Sequence, residues 1–176
     1  MIKHIREKLI VGEYNYPFAD KVNPLLESQI KERWDTKVKP SNIHAHFTGF
    51  HFDRDNKLAQ NLSRWVGDLI RKDFTQSPVD LTCVELWGVL YNKGDYIERH
   101  QHYPSLFSFV YFVNAPKGSS PLVFHNSGHK IKAETGKVVI FESRLIHKVP
   151  PNKSTGRCII SGNFIYAKNV GTFGLQ

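Results

Sequence analysis

The stretch that decides the fold covers residues 91–102 and reads YNKGDYIERHQH. It ends in His100 and His102, and side chains two positions apart in a β-strand project from the same face. A third histidine, His147, follows further along the chain, in another strand-like segment. Because three facial imidazoles leave the remaining positions of a divalent metal open, these residues predict a metal site on a β-rich fold.

Arg157 lies shortly after His147, in or after the strand that returns past the predicted metal. A guanidinium is always charged and can hold a carboxylate through two parallel hydrogen bonds. Three metal-ligating histidines with an arginine beyond them are therefore the arrangement expected of an iron oxygenase that uses a keto acid as its second substrate.

The composition favours one globular domain over residues 1–176. A chain of 176 residues with 40% hydrophobic residues can form one sizeable core and is short for two. The net charge is +8, but the positive residues are scattered, so a nucleic-acid partner is not expected. Lys148 and Lys153 flank the predicted site and are placed to steer an acidic small molecule towards it.

Neither a membrane span nor a disulfide is expected. The longest apolar runs are of strand length, and charges interrupt the hydrophobic residues of the N-terminus, which argues against a signal peptide and for a cytoplasmic protein. Cys83 and Cys158 lie in strand-like segments, where we expect small buried thiols rather than a disulfide pair.

Residues 1–78 read as a helical support region. One helix is predicted from Asp20 to about Thr36, with Pro24 in its first turn, and a clearer one from Asp55 to Phe74. Asp53 or Asp55 is the predicted N-cap of the second helix. The positions at helical spacing are Val22, Leu25, Leu26, Gln29, Ile30 and Trp34 in the first helix, and Leu58, Leu62, Trp65, Val66, Leu69 and Ile70 in the second.

Residues 79–168 change to short β-rich runs separated by glycine and proline, and form the predicted core. Many short strands behind two helices predict a mainly β fold with N-terminal helices, a double-stranded β-helix or cupin-like jelly roll. The predicted strands are Leu81–Tyr91, Phe107–Val113, Pro121–Phe124, Lys130–Lys132, Lys137–Phe141 and Arg157–Ala167.

Two spaced patterns in this region resemble a known family. Residues 91–102 have the pattern Tyr-x2-Gly-x5-His-x-His, and residues 136–147 have Gly-x5-Glu-x-Arg-x2-His, followed by Gly156, Arg157 and Ser161. These patterns resemble the Fe(II)/2-oxoglutarate-dependent oxygenases, especially the prolyl-4-hydroxylase-like group. Residues 102–112 and 141–151 are also similar to H-x5-S-G-V-Y-Y and F-P-S-x3-H-x-V-x-P in a branch of oxygenases from phages and marine bacteria. The resemblance covers roughly residues 81–166.

The resemblance implies a role for each matched residue. His100, His102 and His147 would hold Fe(II), and Arg157 would anchor the far carboxylate of 2-oxoglutarate with help from Ser161 or Tyr91. The family pattern has an acidic residue where this chain has His102, and a neutral ligand leaves the metal site one charge more positive.

The implied function is an oxygenase that hydroxylates an amino-acid or peptidyl side chain of prolyl type, using O2 and 2-oxoglutarate and releasing succinate and CO2. One alternative is a cupin that binds metal through three histidines, as a dioxygenase or as a metal- and ligand-binding protein, without 2-oxoglutarate. A second is a jelly-roll module without enzymatic activity that binds RNA through its positive charge.

Other side chains receive structural interpretations. Glu98 precedes His100 by two residues, so we place it on the same strand face, where it offers a carboxylate near the metal. The pair His44 and His46 is interpreted as structural or as lying on the substrate side. Further expectations are Trp34, Trp65 and Trp87 as core anchors between helices and sheet, Phe107, Phe109 and Tyr111 as core, and His125 and His129 in an exposed hairpin.

Overall fold

The computed structural model describes residues 9–33, 40–76 and 79–167. The helices are α1 (Ala19–Glu32) and α2 (Lys57–Asp73). The strands are β1 (Val11–Asn15), β2 (Ile43–His44), β3 (His46–Phe47), β4 (Leu81–Tyr91), β5 (Tyr96–His100), β6 (Phe107–Asn114), β7 (Leu122–Phe124), β8 (Lys130–Ile131), β9 (Lys137–Glu142), β10 (His147–Val149) and β11 (Arg157–Tyr166).

The strands form two antiparallel sheets, and the predicted mainly β jelly roll with N-terminal helices is confirmed. The larger sheet has the order β1-β9-β6-β11-β4-β3, and the smaller has the order β2-β5-β10-β7-β8. Residues 1–78, read from sequence as helical support, also supply β1, β2 and β3 to these sheets. These strands were not predicted, because runs of two to five residues are too short to show a clear periodicity.

The six-stranded sheet is buried on both faces, which explains the nearly continuous apolar runs of β6 and β9. One face packs against the helices, and the other packs against the five-stranded sheet. The helix-facing side includes Phe109, Tyr111, Val138, Ile140 and Ile160, and the inner side includes Val110, Phe112, Val139, Phe141 and Ile159. The core assignment of Phe107, Phe109 and Tyr111 is therefore confirmed, with all three beneath the helices.

Helix α2 follows the predicted stripe, with Leu62, Val66 and Ile70 fully buried. Its N-cap is Asn56, whose side chain accepts a hydrogen bond from the Ala59 backbone N–H, so the predicted cap at Asp53 or Asp55 was wrong. An amide suits this position better than a carboxylate, because Asn56 Nδ2 also donates to Gln29 Oε1 on α1, at 2.9 Å.

Helix α1 buries Leu26 and Ile30 against the sheet, but Leu25 is exposed, contrary to its place in the predicted stripe. Pro24 lies inside the helix, because the helix begins at Ala19. The predicted end near Thr36 and the anchor Trp34 lie outside the described residues.

The cysteines are far apart along the paired strands β4 and β11, and both are free thiols, as predicted. Burial raises the pKa of the Cys83 thiol to about 12 and also raises that of Cys158, so both are protonated at neutral pH. Among the described residues, no helix is both long and apolar enough to cross a membrane.

Candidate metal and carboxylate site

Two adjacent strands of the smaller sheet carry two of the three predicted metal ligands, and the third, His102, lies two residues beyond the end of β5 rather than in the strand with His100. His100 ends β5, His147 begins β10, and the two residues are direct partners in the antiparallel register. The next pairing is Val149 with Ile97, so β5 uses one residue more than β10 over this interval, which is a β-bulge. The bulge lets both Ile97 and His100 face the inside of the sandwich.

The three predicted histidines come together. One ring nitrogen from each of His100, His102 and His147 lies within 4.8 Å of the other two. His102 Nε2 and His147 Nε2 are 3.2 Å apart, a separation that suits two ligands of one first-row metal with bonds of about 2.1 Å. The geometry therefore fits a facial set of three imidazoles.

Backbone carbonyls orient two of the three rings. His100 Nδ1 donates to the carbonyl of Glu98, and His147 Nδ1 donates to that of Leu145, each at 2.8 Å. With the proton on Nδ1, the Nε2 lone pair of both rings is free for a metal.

The site also keeps the histidines neutral. Burial, followed by the charge of His100, lowers the pKa of His147 to about 3. Burial lowers the pKa of His102 well below its usual value, with His147 and His100 contributing, and burial lowers that of His100. Neutral imidazole is the form that binds metals.

Arg157 has no exposed surface, yet its guanidinium faces the cavity that holds the histidines. Its Nε donates to the carbonyl of Ser120 at 3.1 Å, and its Cζ lies 4.3 Å from the ring centre of Tyr91 and 5.3 Å from that of Phe112. Among the described residues, neither Nη1 nor Nη2 has a hydrogen-bond partner, and the Tyr91 hydroxyl also has none. Two guanidinium nitrogens and a neighbouring hydroxyl are thus buried without partners in one part of the cavity, which suits an anion.

The cavity has a volume of about 300 Å³ and a lining that combines polar and apolar side chains. Ser161 lines it, as do Tyr91 and all three histidines. Lys148 and Lys153 are not among its described lining residues, since Lys148 alternates with the inward-facing His147 and Val149 on β10. The predicted steering by these lysines therefore does not come from the cavity wall.

The placement of Glu98 near the metal was wrong. The β5 bulge turns Glu98 outward, and its carboxylate lies 2.9 Å from His44 Nε2 on the surface. His44 stacks on Tyr96, while His46 is buried and donates from Nε2 to the carbonyl of Ile30. The structural reading of this histidine pair is therefore confirmed for His46.

Trp87 does not pack between helices and sheet as predicted. It belongs to the inner face, lines the cavity and has its ring centre 5.5 Å from that of His102. Trp65 does pack on the helix side.

His125 and His129 are exposed, as predicted, and His129 lines a separate cleft of about 550 Å³ next to β1.

One polar residue near the histidines was missed entirely. Asn163 Nδ2 lies 3.4 Å from His102 Nδ1. Asn163 follows Arg157 and Ser161 on β11 at positions of the same parity, so strand alternation could have placed it on the cavity side.

No protein-family model matches the sequence, and no curated protein matches it. Solved structures do resemble the fold. A viral collagen prolyl hydroxylase from Paramecium bursaria Chlorella virus-1, solved with 2-oxoglutarate, has a TM-score of 0.70 at 15% identity over 88% of this chain and 94% of its own. A Trichoplax adhaerens prolyl hydroxylase, in complex with a peptide of hypoxia-inducible factor, has a TM-score of 0.70 at 17% identity over 93% and 87%.

A third similar structure is HygX from Streptomyces hygroscopicus, with nickel and 2-oxoglutarate bound. It has a TM-score of 0.67 at 12% identity and covers 89% of this chain and 83% of its own. At these identities the similarity shows the fold, which this chain shares with prolyl hydroxylases and with a solved member of the 2OG-Fe(II) oxygenase family. The family resemblance of residues 81–166 agrees with that fold.

Proposed function

We propose that this protein is an Fe(II)- and 2-oxoglutarate-dependent oxygenase that hydroxylates an amino-acid or peptidyl side chain of prolyl type, releasing succinate and CO2. The observation that carries the proposal is the presence, in one cavity, of three converging imidazoles and a buried guanidinium whose two terminal nitrogens have no hydrogen-bond partner among the described residues. Neither feature alone distinguishes an oxygenase from a metal-binding jelly roll.

The residues present fit both groups. His100, His102 and His147 would hold Fe(II), because imidazole suits iron and a facial set leaves positions open for a chelating cosubstrate. When bound, the iron and 2-oxoglutarate supply the oxidising chemistry, and the protein supplies position and surroundings.

The protein's own contribution at the deep end is to bind one carboxylate. Arg157 would hold it through Nη1 and Nη2, and the Tyr91 hydroxyl or Ser161 would add a hydrogen bond. Val110, Leu122 and Ile159 line the same cavity, and apolar walls of this kind would strengthen the ion pair by limiting its contact with water. A dicarboxylate anchored this way would direct its other end towards the histidines.

The side chains at the mouth of the cavity favour a primary substrate that presents an uncharged group. Its described lining is uncharged, with Ser41, Asn42 and Gln101 next to Phe50 and Trp87. A prolyl ring or another neutral side chain fits such a lining without leaving a charge unpaired. Among proteins of this fold, the Trichoplax enzyme binds a peptide, whereas HygX has been solved with hygromycin B, so the peptidyl assignment rests on analogy.

The decisive experiment is an anaerobic titration of 2-oxoglutarate into the Fe(II)-loaded protein, followed by visible absorption. Chelation of Fe(II) by the keto acid is expected to produce a weak charge-transfer band in the wild-type protein. Arg157→Ala is expected to lower the affinity for 2-oxoglutarate at least about a hundredfold, because it removes a buried bidentate charge pair, while Fe(II) affinity stays within a few-fold.

Lys148→Ala is the matched control, since it removes one positive charge close to His147 without changing the cavity wall. It should leave the band and its midpoint unchanged. A wild-type protein that binds Fe(II) but gives no band would refute the 2-oxoglutarate assignment. That result would favour the cupin-type alternative, with three neutral ligands and a different substrate.

A further inference from the structure

A row of polar side chains crosses the inner face of the six-stranded sheet, where most neighbours are apolar. Glu85 on β4, Asn163 on β11 and Ser108 on β6 stand opposite one another in register. Ser143 follows the end of β9, two residues beyond Phe141, the register partner of Ser108, and is fully buried. Polar groups in such a place destabilise the fold unless they are hydrogen-bonded, so their partners show what the row does.

The row fixes the amide of Asn163 from both sides. Ser108 Oγ donates to Asn163 Oδ1 at 2.8 Å, and Asn163 Nδ2 donates to Glu85 Oε2 at 2.6 Å. The Ser108 and Ser143 hydroxyls are 2.7 Å apart and complete the chain. Because a carboxylate only accepts, the Asn163 nitrogen has to point towards Glu85.

The row ends at His102. Asn163 Nδ2 lies 3.4 Å from His102 Nδ1, and the His102 backbone N–H donates to the carbonyl of Ser143 at 2.8 Å. His100 and His147 use backbone carbonyls at Nδ1, so in those two rings Nδ1 carries the proton. His102 instead faces an N–H donor at Nδ1, which leaves its proton on Nε2, pointing to His147 Nε2 at 3.2 Å.

We infer that Asn163, held by Glu85 and Ser108, is a positioning residue that sets the ring orientation and tautomer of His102. In the metal-free protein, His102 then carries the opposite tautomer from the other two histidines and bridges to His147. His102 can bind a metal through Nε2 only after its proton moves from Nε2 to Nδ1, where it would face the Asn163 N–H donor, so the row opposes metal binding at this ligand. The effect on the metal rests on the proposed function, whereas the tautomer itself does not.

The test exchanges the two ends of the Asn163–Glu85 hydrogen bond. In the double variant Asn163→Asp/Glu85→Gln the amide and the carboxylate change places, so the formal charge is unchanged. The carboxylate at 163 then accepts from the amide at 85 and also offers an acceptor to His102 Nδ1. We expect this exchange to move the His102 proton from Nε2 to Nδ1.

Long-range proton–nitrogen NMR of the metal-free protein at neutral pH reads each tautomer directly, with His102 assigned from the His102→Gln variant. In the wild-type protein, His100 and His147 should be protonated on Nδ1 and His102 on Nε2. The exchanged variant should show all three on Nδ1. Wild-type His102 on Nδ1, or a His102 tautomer that the exchange leaves unchanged, would overturn the inference.

Thr48→Val is the control for a merely structural effect. Thr48 is another buried polar residue of the core, and its hydroxyl accepts from the Gly88 N–H, away from the histidines. It should lower stability without altering any tautomer.

A parallel Co(II) titration addresses the metal. The exchanged variant should bind Co(II) about tenfold more tightly than the wild type, at the lower end of effects seen for groups that support a metal ligand. Equal or weaker binding would overturn the claim that the row opposes the metal. A wild-type protein that binds no Co(II) would refute the metal site itself, while the NMR result would still decide the tautomer.

Discussion

At the scale of single residues, Arg157 combines complete burial with the absence of a carboxylate partner among the described residues. Its guanidinium has one hydrogen bond to a backbone carbonyl and contacts with two aromatic rings. A buried charge that is only partly compensated lowers stability, and an apolar side chain of similar length usually removes that cost. The carboxylate-binding role proposed for Arg157 would account for this cost in the ligand-free protein.

We accordingly predict that Arg157→Met raises the free energy of unfolding of the ligand-free protein by about 1–3 kcal/mol, while 2-oxoglutarate binding is lost. Urea denaturation with and without 2-oxoglutarate measures both effects. Excess 2-oxoglutarate should stabilise the wild type and leave the variant unchanged. A variant less stable than the wild type would mean that the ring contacts outweigh the desolvation of the charge.

The site residues also show how far sequence reasoning reaches. His100, His102, His147 and Arg157 were placed in one site from their spacing together with the resemblance of residues 81–166 to a known family, and all four line one cavity. Trp87 was assigned to the wrong side, since both faces of β4 carry apolar residues and periodicity gives no sign of which face meets the helices. Asn163 was missed because strand alternation could give only its face, whereas its contact with His102 depends on a loop that is distant in sequence.

At the scale of elements, the bulge in β5 decides which side chains enter the cavity. Regular alternation would place Glu98 beside His100, but the extra residue rotates Glu98 and Arg99 to the surface and keeps Ile97 inside. A bulge depends on the register between two strands that are distant in sequence, so the residues of β5 alone do not reveal it.

The start of α2 provides a test of local structure. Asn56→Ala should lower the free energy of unfolding by about 1–2 kcal/mol, because it removes the cap to Ala59 and the bond to Gln29. Asn56→Asp keeps the cap acceptor and loses only the donor to Gln29, so its loss should be smaller. Urea denaturation gives both values.

Metal affinity is the control for the two Asn56 variants, since α2 packs on the face of the six-stranded sheet opposite to the histidines. Both variants should bind Co(II) as the wild type does. Equal losses of stability for Ala and Asp would show that the tie to α1, rather than the cap, is what Asn56 contributes.

At the scale of the whole molecule, the buried histidines couple folding to pH. Their pKa values are lowered in the folded protein, to about 3 for His147, so the unfolded chain binds more protons below about pH 6.5. This contribution to stability is complete above that pH and is lost as the pH falls towards the folded value. His147 alone should reduce the unfolding free energy by about 2 kcal/mol at about pH 5.

The measurement is urea denaturation of the metal-free protein across that pH range. His147→Leu should flatten the pH dependence, and His125→Gln, at an exposed hairpin position, should leave it unchanged. A wild-type unfolding free energy that is constant between about pH 6.5 and about pH 4 would contradict the lowered pKa values.

In the six-stranded sheet, alternate residues of the same strands face either the cavity or the helices. Val110 and Ile159 face the cavity, while their neighbours Tyr111 and Ile160 support the helices. Combinatorial libraries restricted to the inward positions can therefore reshape ligand preference with the scaffold left intact. An engineer seeking a new small-molecule specificity has in this chain a set of sites where selection for binding and selection for folding act on different residues.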